Sequence, residues 1–239
     1  MALLPWQKGV ITRVEQETES TRRFWITVSS GEAFAFQPGQ FVTLDLPIHD
    51  KPNKRWRSYS IASWPDGTPG FELVIVKLEG GAGTSWLFEH GQVGLELSFR
   101  GPQGVFTLPA SIETDLVFIC TGTGVAPFRS MVHHIFNQHI PHRKLYLVFG
   151  TRHRADILYY EELKRLQEQH PSFEYHPVLS RETWEGHTGY VHTVYEQLCA
   201  QRQPVQFFLC GWRNMIDEAK RRITEMGYDR KAIHQELYG

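Results

Sequence analysis

Cysteine is scarce in this chain: 239 residues hold three, Cys120, Cys199 and Cys210, and no Cys-x-x-Cys pair occurs. An odd, scattered set argues against a disulfide framework and for a reducing compartment, so a cytoplasmic protein is expected. An iron–sulfur cluster held by four cysteines at short spacings is not expected from this set. Charge of one sign is also missing, with 25 basic against 26 acidic residues, so bulk electrostatics do not point to nucleic acid or to an anionic membrane. No apolar run approaches the ~20 residues that cross a bilayer. The opening Met-Ala-Leu-Leu-Pro-Trp-Gln-Lys lacks a basic segment followed by a long apolar stretch, so no targeting signal is expected. The twelve histidines contain no His-Glu-x-x-His pattern; His133-His134, His139 and His142 read as residues of a helix and its exit, and no metal site is expected. No internal repeat, low-complexity tract or long linker is present.

The composition is that of a well-filled globular protein, 41% hydrophobic and 13% aromatic. The length suits two small domains. Up to Pro109 the chain offers short runs of period-two alternation. Phe24, Ile26 and Val28 fall on one face against Trp25 and Thr27, and Phe71 to Lys77 is similarly β-rich. Pro38-Gly39, Pro65-Asp66-Gly67, Gly80-Gly81 and Gly101-Pro102 punctuate these runs, a spacing that suits a small closed barrel. Beyond Ser111 apolar strand-like runs (Leu116 to Cys120, Leu145 to Gly150, Phe173 to Leu179, Val205 to Cys210) alternate with helical segments such as Tyr160 to Leu166. That alternation predicts βαβ units and a doubly wound, mostly parallel sheet. The expected division is an antiparallel barrel over 1–109 and an α/β domain over 110–239.

Three fragments carry chemistry. Cys120-Thr121-Gly122-Thr123-Gly124-Val125-Ala126-Pro127-Phe128-Arg129 ends the first strand of the second half and opens a helix. Glycines there let backbone N–H groups approach a pyrophosphate, with the helix N-terminus adding favourable partial charge. The pattern departs from G-x-G-x-x-G, because Pro127 stands where the third glycine would be, and a ligand-free strand-to-helix turn is the plainer reading. In the first half, Arg57-Ser58-Tyr59-Ser60 lies on a strand predicted over Arg57 to Ser63. Its Arg has a planar fork for a phosphate and its Tyr a ring to pack and a hydroxyl to donate. The plainer reading is a core tyrosine beside a surface charge. Val76-Lys77 and then Gly83-Thr84-Ser85 follow, just ahead of a short helical stretch at Trp86 to Glu89. A second anion site at that helix start would make two in one barrel, which suits a dinucleotide.

In their order along the chain these fragments resemble the ferredoxin–NADP reductase superfamily of flavin-dependent reductases: Pro38-Gly39-Gln40-Phe41-Val42, Arg57 to Ser63, Val76-Lys77 with Gly83-Thr84-Ser85, Gly122 to Pro127, Cys210-Gly211 and a terminal Glu236-Leu237-Tyr238. The resemblance spans nearly the whole chain. It implies a six-stranded antiparallel flavin-binding barrel followed by a doubly wound nicotinamide-nucleotide domain, with the flavin held between them. It implies FAD rather than FMN, from the Gly-x-Ser element. Arg57 and Ser85, with Gly83 and Thr84, would hold the FAD pyrophosphate. Tyr59 and Ser60 would meet the ribityl chain and the isoalloxazine, and Val76 and Lys77 would flank the cofactor. Thr123, Gly124 and Pro127 would bind the NAD(P) pyrophosphate. Cys210, beside Gly211 at the end of the fourth strand of the second domain, would lie against the nicotinamide, although a lone cysteine there also fits a buried core thiol. Glu236 and Tyr238 would shield and tune the flavin. Gly239 follows Tyr238, a small departure that leaves open whether the ring stacks on the isoalloxazine, packs nearby or belongs to a frayed tail.

Leu179-Ser180-Arg181-Glu182 resembles the Ser-Arg element of NADPH-using members, and Arg152 adds charge, so NADP(H) is expected over NAD(H). The alternatives are that Arg181 caps a strand or pairs with Glu182, and NADH-using members of the family sometimes keep a similar Ser-Arg. The chain must hand electrons to a separate acceptor, for which the resemblance implies a ferredoxin or flavodoxin. The basic loop Lys51, Lys54, Arg55 and Arg57 offers charge complementarity to such a partner. Other classes are the reductase component of an oxygenase or desaturase, a reductase of free flavin or quinone, and an electron-transfer subunit without turnover. A monomer is expected.

Overall fold

The computed structural model describes residues 4–238, which fall into two compact units. Unit 1 takes the chain up to Thr107 together with Arg129–His134; unit 2 takes Leu108–Phe128 and Ile135 onward.

Unit 1 contains β1 (Gln7–Thr18), β2 (Thr21–Val28), β3 (Phe41–Asp45), β4 (Trp56–Ser60), β5 (Gly70–Val76), α1 (Ala82–His90) and β6 (Glu96–Gln103). The six strands form one antiparallel sheet in the order β4-β3-β6-β1-β2-β5. Its two edges meet: Ile61, just past β4, bridges to Leu73 of β5, and the Ala62 N–H donates to Glu72 O at 2.8 Å. Closure removes both open edges, as a small barrel requires. The alternation read along β2 is the one observed, with Phe24, Ile26 and Val28 turned inward. They pack with Val42, Leu44, Ile61, Phe71, Leu73 and Phe99 in one apolar core.

Two expectations need correction here. Gly101-Pro102 does not end a strand but lies inside β6, opposite a register shift between Phe41 and Thr43. Such a bulge is where a strand tolerates a proline, because the ladder is already interrupted. The strand over Arg57 to Ser63 instead runs from Trp56 to Ser60, and Ile61 leaves it to pair with the opposite edge.

Unit 2 contains β7 (Asp115–Thr121), α2 (Val125–Asn137), β8 (Leu145–Thr151), α3 (Tyr160–Gln169), β9 (Phe173–Leu179), β10 (His187–Thr188), α4 (Val191–Leu198), β11 (Val205–Trp212), α5 (Arg213–Glu225) and β12 (Ile233–Tyr238), residues 129–134 of α2 grouping with unit 1. The sheet is parallel throughout, in the order β10-β9-β8-β7-β11-β12. The central strands are buried on both faces, as their unbroken apolar runs require. From β7 the chain builds outward through β8, β9 and β10, then returns to place β11 on the other flank of β7. The order therefore reverses between β7 and β11, and the crevice at their carboxyl ends is where a doubly wound sheet binds ligands. The carboxyl-terminal residues are not a frayed tail: Ile233 to Tyr238 pair in register with Phe207 to Trp212. Among the described residues no helix is long and apolar enough to cross a membrane.

Candidate functional site

In unit 1 the site is built on β4 and the first turn of α1. That helix begins at Ala82, with Gly81 at its N-cap, four residues earlier than the stretch at Trp86 suggests. The glycines of Gly80-Gly81-Ala82-Gly83 mask the helix start, since glycine is a poor helix former. Ser85 is thus already inside the ladder, its N–H donating to Gly81 O at 2.9 Å. The Thr84 hydroxyl donates to Gly81 O and accepts the Leu78 N–H, both at 3.1 Å, which ties the turn after Val76-Lys77 to the helix. The N–H groups of Ala82, Gly83 and Thr84 have no acceptor within the helix and present partial positive charge.

Arg57 lies across this turn. A Cβ on Gly83 would fall 2.9 Å from Arg57 Cγ and 3.2 Å from its Nε, so glycine at 83 is what lets the guanidinium sit beside the helix N-terminus. The Arg57 Nη1 donates to Lys54 O (3.0 Å) and Trp56 O (2.7 Å), which fixes the stem and leaves the rest of the fork to an anion. A guanidinium and a bare helix N-terminus in one cradle fit a pyrophosphate. Tyr59, on the same side of β4 as Arg57, packs against the barrel core. Burial pushes its phenol up to about 12, opposed by the Arg57 charge, so the hydroxyl is a permanent donor. Ser60 alternates to the other face and is 4% exposed. Lys77 is exposed, its backbone N–H donating to Ser20 O at 2.7 Å. The expected docking charges divide: Arg55 is paired with Asp45 at 2.8 Å and Arg57 belongs to the cradle, while Lys51 and Lys54 are exposed.

In unit 2 two separate motifs form one structure. Gly122–Gly124 make a single tight turn after β7, with Gly122 at φ +54°, and α2 starts at Val125. A Cβ on Gly124 would lie 2.4 Å from the Cys210 carbonyl oxygen and 2.8 Å from its carbon. Gly211 has φ +141°, and a Cβ there would lie 2.4 Å from Thr121 Oγ1; that hydroxyl accepts the Trp212 N–H at 3.4 Å. The ends of β7 and β11 thus touch backbone to backbone, and the N–H of Val125, which opens α2, turns back onto Gly122 O and Thr123 O. Pro127 sits in the first turn of α2, where a missing N–H does no harm.

Cys210 is fully buried and inside β11, which runs on to Trp212, rather than at the strand's end. The extension comes from β12, whose register aligns Cys210 with Glu236 and Trp212 with Tyr238. Burial first, and the Glu236 carboxylate second, push the thiol well up, while a hydrogen bond from the Tyr238 side chain pulls the other way. The thiol is therefore neutral, a small soft group and not a nucleophile. Cys210, Glu236 and Tyr238, expected together, are brought together.

Ser180, Arg181 and Arg152 also converge. The Ser180 N–H and hydroxyl both reach Thr151 O, at 2.9 and 3.1 Å, and the Arg181 N–H donates to Arg152 O at 3.0 Å. Glu182 does not neutralise Arg181; its carboxylate accepts the Arg154 N–H at 2.8 Å. Both guanidiniums are exposed at the carboxyl ends of β8 and β9, a fork pair suited to a phosphate dianion. Sequence reasoning missed Thr121 as a partner of Gly211 and gave Arg129 no role of its own; neither has a local signature. Among the described residues no group of three or more His, Cys, Asp or Glu is placed to hold a metal.

Comparisons with known proteins cover both halves of the chain. Residues 8–108 match the family model of an oxidoreductase FAD-binding domain and residues 118–221 that of an oxidoreductase NAD-binding domain. A protein named ferredoxin–NADP reductase B from Sorangium cellulosum is 36% identical over 88% of this chain and 88% of its own length. The glycine betaine monooxygenase reductase subunit of Pseudomonas aeruginosa is 30% identical over 95% of this chain, which spans only 63% of that relative. The crystal structure of a cytochrome P450 reductase from Amycolatopsis superposes with a TM-score of 0.88 at 27% identity, over 99% of this chain and 71% of that one. A ferredoxin NADP+ reductase from Neisseria gonorrhoeae with bound FAD and NADP shares the fold, with a TM-score of 0.80 at 23% identity over 97% and 98% of the two chains. Matched by both domain models and by a relative 36% identical over 88% of each chain, the chain belongs to the ferredoxin–NADP reductase superfamily of FAD-dependent NAD(P)H oxidoreductases.

Proposed function

We propose that residues 1–109 bind FAD and residues 110–239 bind NADPH, and that the protein passes reducing equivalents to a separate one-electron acceptor. Bound FAD supplies the chemistry of taking a hydride as two electrons and releasing them singly. The residues supply position and potential. Arg57 and the first turn of α1 hold the pyrophosphate; the Tyr59 hydroxyl donates to the ribityl chain and Ser60 to the isoalloxazine; Val76 and Lys77 flank the cofactor. Thr123, Gly124 and Pro127 seat the nucleotide's pyrophosphate on the N-terminus of α2. Cys210, kept neutral, offers a compact uncharged surface for the nicotinamide, and Tyr238 covers the same strand ends until the nucleotide arrives. Glu236 places negative charge where positive charge develops on the nicotinamide as hydride leaves.

The observation that carries this reading is the pair of glycine cradles, Gly83 on Arg57 and Gly124 on Cys210, each filled by any Cβ. NADPH is preferred because Ser180, Arg181 and Arg152 gather on two adjacent strand ends. The acceptor is a ferredoxin or flavodoxin, supported by the Sorangium relative's name and by exposed Lys51 and Lys54. A second reading, the reductase component of an oxygenase, is supported by the glycine betaine monooxygenase and anthranilate 1,2-dioxygenase relatives. Three buried, unpaired cysteines suit a cytoplasmic protein. The deciding experiment is an anaerobic visible spectrum of the purified protein during stepwise addition of NADPH and then NADH, followed by a panel of ferredoxin, flavodoxin and cytochrome acceptors. A yellow protein that releases FAD on denaturation and bleaches with NADPH first is expected. A colourless protein that cannot be reconstituted with FAD overturns the reading.

A further inference from the structure

Arg129 ends the glycine-rich motif that begins at Cys120, yet it is not a phosphate ligand. Its side chain is 4% exposed. Its Nη1 donates to Glu72 Oε2 and to Ala62 O, both at 2.9 Å, and its guanidinium carbon lies 5.3 Å from the Trp64 ring centroid. Trp64 is in turn stacked on His133, with centroids 4.2 Å apart and planes 22° apart. All of these contacts lie within unit 1.

What Arg129 grips is the place where the barrel closes. The other junctions are ladders of several residue pairs, but β4 and β5 are joined by the single Ile61–Leu73 bridge, the Ala62 N–H to Glu72 O bond at 2.8 Å and the Glu72 N–H to Ser63 Oγ bond at 2.9 Å. Arg129 extends this short seam, binding the remaining backbone acceptor of Ala62 and the carboxylate of Glu72. Glu72 is 2% exposed, and its other oxygen takes Arg23 Nε at 2.6 Å. A carboxylate so buried is held by both guanidiniums, and losing one removes half of that compensation in a low-dielectric setting. The seam begins one residue after Ser60, so slack in it is transmitted along the backbone to Tyr59 and Ser60.

We infer that Arg129 is a positioning residue for the flavin: by bridging Ala62 and Glu72 it holds the Tyr59-Ser60 end of β4 where FAD needs it. This rests on the FAD assignment of Arg57 to Ser60. A lysine at this position keeps the charge but loses the planar face on Trp64 and the fixed fork that spans two acceptors.

The test uses the full chain carrying Arg129→Lys and, separately, Glu72→Gln. FAD affinity is measured by flavin fluorescence on the apoprotein, the flavin environment by visible circular dichroism, and NAD(P)H turnover with ferricyanide. Expected are at least tenfold weaker FAD binding and an altered flavin dichroism, with KM for NADPH within twofold of wild type. Unchanged FAD affinity and dichroism in either variant overturn the inference, as does a raised KM with normal FAD binding, which would make Arg129 a nucleotide residue. Should both variants fail to fold, hydrogen exchange on the wild-type protein decides: FAD must slow exchange through Ala62 and Glu72, and no slowing there overturns the inference. If the wild-type protein itself takes up no FAD, the parent reading falls; wild-type uptake with normal variants sinks only the role of Arg129.

Discussion

Gly124 and Cys210 meet backbone to backbone, so closely that a Cβ on Gly124 would lie 2.4 Å from the Cys210 carbonyl oxygen. The turn we propose as the seat of a nucleotide pyrophosphate and the strand end we propose for the nicotinamide are therefore joined through one close backbone contact.

Gly124→Ala must push these strand ends apart. We expect KM for NADPH to rise at least tenfold while FAD stays bound, since the change touches nothing in unit 1. Gly211→Ala should behave alike, because Gly211 combines φ +141° with Thr121 Oγ1 in the way of a Cβ. Stopped-flow bleaching against NADPH concentration measures both, and wild-type saturation curves would refute the cradle.

Arg57→Gln removes a charge-assisted hydrogen bond to phosphate, worth about 1.5–3 kcal/mol, or roughly ten- to hundredfold in FAD affinity. Gly83→Val should mimic it with the arginine still present in the sequence, because its Cβ collides with the Arg57 side chain and displaces the guanidinium from the helix start. Fluorescence titration of apoprotein with FAD reads both, and an unaltered dissociation constant in the Arg57 variant would place the pyrophosphate elsewhere.

Arg181→Ala and Arg152→Ala should each raise KM for NADPH by an order of magnitude or so, in line with the loss of one charge-assisted contact, and leave NADH turnover unchanged. Equal losses with both nucleotides would assign these arginines to the shared pyrophosphate instead of the 2'-phosphate.

Stability should fall on the alkaline side. Burial raises the thiols of Cys120 and Cys210 well above their ordinary value and pushes Cys199 up to about 11. In the unfolded chain a thiol ionises near pH ~8.5. Above that pH the folded state binds more protons than the unfolded one, so this contribution is complete below about pH 8.5 and is lost as pH rises toward the folded values. The limiting slope is about 1.4 kcal/mol per pH unit for each such thiol, and Tyr59, pushed up to about 12, joins above pH ~10. Urea unfolding at pH 8, 9 and 10 measures it, and a flat profile contradicts the burial of these groups.

Much of this was legible in the residues alone. Phe24, Ile26 and Val28 declared a strand with one apolar face, Val205 to Cys210 an apolar strand of a parallel sheet, and the glycines of 122–124 a tight turn before a helix, because each is a local consequence of side-chain period or backbone freedom. The start of α1 was not legible, because Gly80, Gly81 and Gly83 oppose a helix locally while the turn tied by Thr84 imposes one. Nor was β12, whose mixed residues Ile233 to Tyr238 pair with β11 across the sheet.

By itself, then, the sequence determined the two kinds of texture and the chemistry available at Arg57, Gly124, Cys210 and Arg181, since propensity and functional groups belong to the residues. Strand order decided the rest. It brought Cys210 against Gly124 and Tyr238 against Cys210, closed the barrel at Ile61 and Leu73, and turned Arg129 from an apparent end of a phosphate motif into a brace on Glu72. Such contacts join residues far apart in the chain, and their geometry follows from how sheets close and helices pack, which no local pattern encodes.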